Sequence, residues 1–231
     1  MLEVDSTGQA LIRSYFFGNG NFLSLEGMNL PNILTLSRVP ILFLIVGLMA
    51  LEATGAATGA LLLFIVAGIT DWLDGALARR MGLVSDFGKL MDALTDKILV
   101  VGAMVAIVVF ELVPAGAIFL VLLVLSREFL ITGMRMMAAS RGIIIAAEKA
   151  GKQKTVTQIV AVGLLLAAPV FGIDFPAWFG EASLWEHTAS WTRGLGVVFF
   201  VLATLITVTS GLRYFVKYWP QLNEPQPSSR P

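Results

Sequence analysis

Cysteine is absent from the 231 residues, and histidine occurs once, at His187. Disulfides and thiolate metal sites are therefore excluded, and so is a metal centre built on several imidazoles. The lack of cysteine says nothing about compartment. Charge is the second scarcity: Asp, Glu, Lys and Arg make up 14% of the chain, where a soluble domain carries about 25%. The deficit runs the whole length while 57% of the residues are hydrophobic, so the expected solvent is mainly lipid. Acidic and basic residues balance at 16 each, for a formal charge of +0. A nucleic-acid partner thus has no electrostatic support. The N-terminus shows no basic region followed by an apolar stretch and a small-residue cleavage site. A cleavable signal peptide is not expected, and the apolar segments themselves would direct insertion.

What the chain has in abundance is apolar length. A helix crosses the hydrocarbon layer with roughly 20 mostly apolar residues. Six stretches qualify, over Ile33–Leu51, Ala57–Leu77, Leu90–Leu112, Ala115–Ala138, Val156–Phe171 and Leu195–Leu212. The connections near Glu52–Ala56 and Glu111–Pro114 contain no Lys or Arg, and the one from Gly172 to Thr192 carries Asp174, Glu181 and Glu186. On the alternate connections stand Arg79, Arg80 and Lys89, then Arg141, Lys149, Lys152 and Lys154, with Arg213 and Lys217 after the last span. Basic residues favour the cytoplasmic side. Both termini are therefore expected in the cytoplasm, which requires an even number of spans. The expected class is an all-α integral membrane protein with six transmembrane helices. Trp178, Trp185 and Trp191, and likewise Tyr214, Tyr218 and Trp219, read as interfacial anchors. Residues 1–27 read either as an amphipathic segment on the membrane, from Phe16, Phe17, Phe22 and Leu23, or as an extension ahead of a core that starts at Met28. The core domain is expected over 28–218, and the Pro/Ser-rich tail, 219–231, is expected to be disordered.

Carboxylates are costly in a bilayer, at about 2.5–3.5 kcal/mol each on insertion scales. Against that cost, Asp71 and Asp74 stand one helical turn apart at the end of the second span, and Asp92 and Asp96 likewise at the start of the third. Each pair projects from one helix face. The short connection Arg80–Lys89 makes the two helices antiparallel neighbours, so the pairs can meet. Any one of these acids is accounted for by helix capping or by contact with the headgroup layer; four at paired spacing point to a shared ligand. Converging carboxylates repel strongly at low effective dielectric, and divalent cations resolve the repulsion. An all-oxygen set favours Mg²⁺ or Mn²⁺ over zinc. Two such ions about 3.5–4 Å apart can clamp a phosphoryl group and its leaving oxygen. Gly75 and Ala78 leave room for a ligand against the helix, Gly88 allows a close approach before Asp92, and Arg79 offers a planar donor fork for phosphate.

These residues carry a resemblance. Asp71, Asp74, Gly75, Ala78 and Arg79, followed after eight residues by Gly88, Asp92 and Asp96, match D-x-x-D-G-x-x-A-R-x8-G-x3-D-x3-D at every fixed position. This resembles the signature of the CDP-alcohol phosphatidyltransferase family. The stretch from Leu30 to Arg38 is similar to the family's N-terminal segment. Ser126-Arg127-Glu128, Met134-Arg135 and Gly151 to Thr155 resemble later segments of the family's bacterial phosphatidylglycerophosphate synthases. The resemblance covers roughly residues 28–218. It implies the family's six-helix fold, commonly assembled as a homodimer, in the bacterial inner membrane with the site on the cytoplasmic side. It implies two metal ions among Asp71, Asp74, Asp92 and Asp96, with Asp96 as general base. It also implies contact of Gly75, Arg79 and Ser85 with the cytidine diphosphate of CDP-diacylglycerol, and of Asn32 and Thr35 with the same pocket.

The acceptor is read from the basic cluster. Arg127 and Arg135, eight residues apart on the fourth span, and Lys152 and Lys154, opening the fifth, suggest a second anionic substrate gripped by its phosphate. Glycerol 3-phosphate fits. For the lysines the alternative is a role in orientation and contact with anionic lipid; for Arg127 it is a structural ion pair with Glu128. Inositol phosphate, phosphatidylglycerol and serine are alternative acceptors. A divalent-cation transporter is the alternative from another class, since intramembrane acids also mark ion pathways, although these acids collect at one edge rather than at the midplane between repeats.

Overall fold

The computed structural model of the chain describes residues 30–81, 86–141 and 149–223. Away from water each backbone N–H and C=O has to be satisfied within its own segment, which makes helix the outcome for these apolar runs. All regular structure among the described residues is helical. The order is α1 (Leu30–Met49), α2 (Ala56–Met81), α3 (Asp86–Val109), a 3₁₀ turn (Ala115–Ala117) leading into α4 (Ile118–Ser140), α5 (Lys149–Pro169), a π turn (Val170–Asp174), α6 (Phe175–Phe179) and α7 (Ala182–Asn223).

Among the described residues, three helical stretches are long and apolar enough to cross a membrane: Ala115–Ser140, Gln153–Phe179 and Ala182–Pro220. The described side chains of the first three helices give further apolar stretches over Leu36–Met49, Ala56–Thr70 and Lys97–Val109. Each of these helices gives one end to the polar motif, with Asn32 and Thr35 on α1, Asp71 and Asp74 on α2, and Asp92 and Asp96 on α3.

Helix α1 packs on both α2 and α3, α5 packs along α7 and also meets α2 and α3, and α4 lies between α3 and α7. The core runs through Ile45, Phe64, Ala67, Met104, Ile107, Val124, Val162, Leu165 and Phe200, all buried. Lipid supplies no hydrophobic drive between helices, so close approach over small residues does much of the holding. A Cβ on Gly196 would come within 2.8 Å of Leu165 Cγ and 3.2 Å of its backbone N, which is how α7 lies so near α5. Large apolar side chains such as Phe43, Phe119 and Val216 point outward, as suits a bundle in lipid.

The end away from the aspartates differs from expectation in two respects. The connection expected from Gly172 to Thr192 is mostly helical: Pro169 leads into the π turn, α6 follows, and α7 starts at Ala182. No Pro or Gly lies between Ala182 and Arg193, and polar composition alone does not stop a helix. Asp174, expected in an outer loop, is fully buried. It accepts hydrogen bonds from Gly55 N–H at 2.7 Å and from Thr58 N–H and hydroxyl at 2.8 and 2.7 Å. It therefore caps the start of α2 from the end of the π turn that follows α5. Gly55 has φ +91° there, with Trp178 against it.

The aromatic residues divide between packing and exposure. Trp185 stacks on Phe171 and meets Phe175 edge-on, whereas Trp191 is exposed. Tyr214 is a buried packing residue beside Ile131, Met134 and Ala138, not a surface anchor. At the chain's end, 219–223 is helical rather than disordered, because Leu222 is buried in that same cluster and Arg141 donates to its carbonyl oxygen. Residues 1–27 and 224–231 lie outside the described residues.

Candidate active site

Asp71 and Asp74 stand on α2 three turns or less before its end at Met81, and Asp92 and Asp96 on the opening turns of α3. Both helices pack against α1, which carries Asn32 and Thr35, and against α5, which carries Lys152 and Lys154. The side chains of Asn32, Thr35, Asp71, Asp74, Ala78, Arg79, Asp92, Asp96 and Lys152 lie outside what is described, as do the surroundings of Gly75 and Gly88, and Ser85 lies outside the described residues altogether. The donor set itself fits a hard divalent cation: four carboxylates, paired at one-turn spacing on two helices with common neighbours.

Immediately deeper in the bundle the side chains are described, and they form a polar cluster. Glu128 on α4 and Lys154 on α5 are each 8% exposed. Lys154 Nζ donates to Glu128 Oε1. Arg127 Nη1 donates to the same oxygen at 3.1 Å, and its Nη2 reaches Ser210 Oγ on α7 at 3.3 Å. Ser210 in turn donates to the Thr207 carbonyl at 3.0 Å, and Gln158 Nε2 donates to Thr207 Oγ1 at 3.2 Å. Helix geometry explains how these elements come so near. A Cβ on Gly211 would stand 2.5 Å from Arg127 Cγ, so only glycine leaves α7 open for the arginine stem. A void of about 20 Å³ adjoins the cluster, lined by Lys97, Glu128, Lys154, Thr155 and Gln158 among others. Lys97 follows Asp96 directly, so α3 joins the aspartate motif to this cluster.

The four basic residues expected to receive an acceptor are thus distributed unevenly. Arg127 and Lys154 come together through Glu128, in the ion-pair alternative foreseen for Arg127. Arg135 is exposed. Eight residues are 2.2 turns, which leaves about 80° between Arg127 and Arg135 around the helix, so that Arg127 is turned inward where Arg135 is exposed. Gln158, Thr207, Ser210 and Gly211 escaped the sequence reading. Their one sequence signal is that polar residues inside apolar helices carry a cost.

A family profile described as CDP-alcohol phosphatidyltransferase matches residues 28–209. The chain is similar to the CDP-diacylglycerol–glycerol-3-phosphate 3-phosphatidyltransferase of Bacillus subtilis, 37% identical over 208 residues that cover 84% of this chain and 97% of the relative. It is similar to the protein of the same name from Rickettsia typhi, 33% identical over 188 residues, covering 81% and 95%. It is also similar to that from Shigella flexneri, 32% identical over 193 residues, covering 80% and 92%.

Proposed function

The chain belongs to the CDP-alcohol phosphatidyltransferase family, and from that premise we propose that it transfers the phosphatidyl group of CDP-diacylglycerol to glycerol 3-phosphate, releasing CMP. The observation that carries the reading is the juxtaposition of the complete aspartate signature on α2 and α3 with a buried cluster holding Arg127 and Lys154. A phosphorylated alcohol suits two clustered cations. Serine, being a neutral acceptor, needs none, and the names of the relatives favour glycerol 3-phosphate over inositol phosphate or phosphatidylglycerol.

Asp71, Asp74, Asp92 and Asp96 hold the divalent metal in this reading. Bound there, two Mg²⁺ or Mn²⁺ ions supply neutralisation of the diphosphate and of the charge that develops on departing CMP. Asn32, Thr35, Gly75, Ala78, Ser85 and Gly88 line the nucleotide pocket, and Arg79 grips a phosphate with its fork. Arg127 and Lys154 receive the acceptor's phosphate from inside, Arg135 and Lys152 from the mouth. Asp96 accepts the proton of the acceptor hydroxyl as that oxygen bonds to the phosphorus bearing diacylglycerol, and the bond from that phosphorus to the CMP oxygen breaks in line. A carboxylate shared with metal is a weak base, so its help is mainly positional until the transition state forms.

The same reading takes residues 28–218 as six transmembrane helices with both termini in the cytoplasm and the site facing it, in a bacterial inner membrane and as a homodimer. Support for the orientation comes from the alternation of basic and base-free connections. The test is turnover of labelled CDP-diacylglycerol by purified protein in detergent with Mg²⁺ or Mn²⁺, comparing glycerol 3-phosphate, inositol 3-phosphate, phosphatidylglycerol and serine. Phosphatidylglycerophosphate is the expected product. No turnover with glycerol 3-phosphate would overturn the acceptor, and cation flux in proteoliposomes without CMP release would overturn the enzyme.

A further inference from the structure

Glu128 has no part in the transfer step just described, yet it engages Arg127 and Lys154 together. Its Oε1 accepts from Arg127 Nη1 at 3.1 Å and from Lys154 Nζ. The side chains of Arg127, Glu128 and Lys154 are 12%, 11% and 10% exposed. Charges so far from water persist only when compensated. Among the described residues Lys97 lines the adjoining void as well, so three cations stand about the Glu128 carboxylate. The adjoining void of about 20 Å³ admits a water molecule and nothing as large as a phosphate ester. An incoming phosphate therefore has to draw the two cations partly off Glu128, and it does so against the repulsion of that carboxylate.

We propose that Glu128 is a positioning residue whose carboxylate occupies, in the unliganded protein, the place beside Arg127 and Lys154 that the acceptor's phosphate takes in the complex. It keeps both cations ordered and aimed at one point, and it sets how strong an anion must be to enter. A phosphate monoester, doubly charged and with three acceptor oxygens, out-competes a single carboxylate; a carboxylic acid or a neutral alcohol does not. Glu128 is thereby a specificity determinant for phosphorylated acceptors. The proposal rests on the phosphorylated-acceptor reading given above.

Glu128→Gln tests it, because the amide has the same shape and still offers an oxygen to the cations but no longer opposes a phosphate. Steady-state kinetics of the purified full chain should give a KM for glycerol 3-phosphate about tenfold lower, with KM for CDP-diacylglycerol unchanged. Inorganic phosphate should become a correspondingly stronger competitive inhibitor. A monodisperse variant whose glycerol 3-phosphate KM is unchanged or raised would overturn the proposal. Should Glu128→Gln not fold, Glu128→Asp decides instead. It keeps the charge but withdraws it by one methylene, so its opposition to phosphate weakens and glycerol 3-phosphate KM should fall, by less than in Glu128→Gln, with KM for CDP-diacylglycerol unchanged; a rise in glycerol 3-phosphate KM, or an equal change for both substrates, would refute the idea. If the wild-type protein turns over only with another acceptor, the acceptor reading fails by itself. Glu128 is then judged by inorganic phosphate inhibition with that acceptor: stronger in Glu128→Gln supports the proposal, equal in both proteins removes it.

Discussion

Asp174 and Glu128 are both carboxylates buried in helical, apolar surroundings, and they are satisfied by different kinds of donor. Asp174 accepts from the backbone of Gly55 and Thr58 and from one hydroxyl. Those amides are the orphan donors of a helix start and have no other use. Glu128 accepts from an arginine and a lysine, groups on flexible stems that a stronger anion can attract. The first arrangement is permanent because its donors cannot leave. The second is exchangeable because its donors can. At one end of α2 a buried acid secures the helix; near the other end, beside the motif that α2 and α3 carry, a buried acid holds charge in readiness.

The largest expected effect lies with a carboxylate of a third kind, one placed for chemistry. Asp96→Asn should lower kcat by about a thousandfold or more while the protein elutes and melts in detergent like the wild type. Retention of substantial turnover would remove Asp96 from the reaction. Next comes the permanent cap. Asp174→Ala leaves two backbone N–H groups without their acceptor and should cost about 2–4 kcal/mol in thermal unfolding. Both KM values should hold at temperatures where the variant is folded. Were Asp174→Ala to shift KM for the acceptor as Glu128→Gln is expected to, the contrast between fixed and exchangeable acids would be lost. The smallest change sharpens the contrast from the cation's side. Gly211→Ala pushes a methyl group into the Arg127 stem and should raise KM for glycerol 3-phosphate by about three- to tenfold with little effect on CDP-diacylglycerol. An unchanged KM would mean that the position of Arg127 does not govern acceptor binding.

Much of the candidate site was legible in the sequence because its decisive relations are local. Asp71 with Asp74, and Asp92 with Asp96, need only the pitch of a helix to share a face. The apolar runs were legible for a similar reason, since composition over a short window fixes how lipid solvates it. The failures are of two kinds, one where contact partners lie far apart in the chain and one in the rotation and the ends of single helices. Asp174 looked like one acid among several in an exposed connection; its donors are 116 and 119 residues away. Arg127 and Arg135 looked like a pair because eight residues is nearly two turns, but the remaining rotation turns one inward and the other out. Helix α7 starts well before the apolar run at Leu195, because a helix ends for want of backbone partners or at a breaker, and no Pro or Gly occurs between Ala182 and Arg193.

By itself the amino-acid order determined that the chain is solvated by lipid, that it folds into helices, and that its acids stand in pairs one turn apart, since each follows from near neighbours and from the energy of leaving water. Only the tertiary structure decided that Lys154 meets Glu128, that Gly211 yields room to Arg127, and that Asp174 closes the start of α2. Those contacts join separate helices, and the partner a buried charge finds depends on how helices pack, which spacing along one helix does not encode.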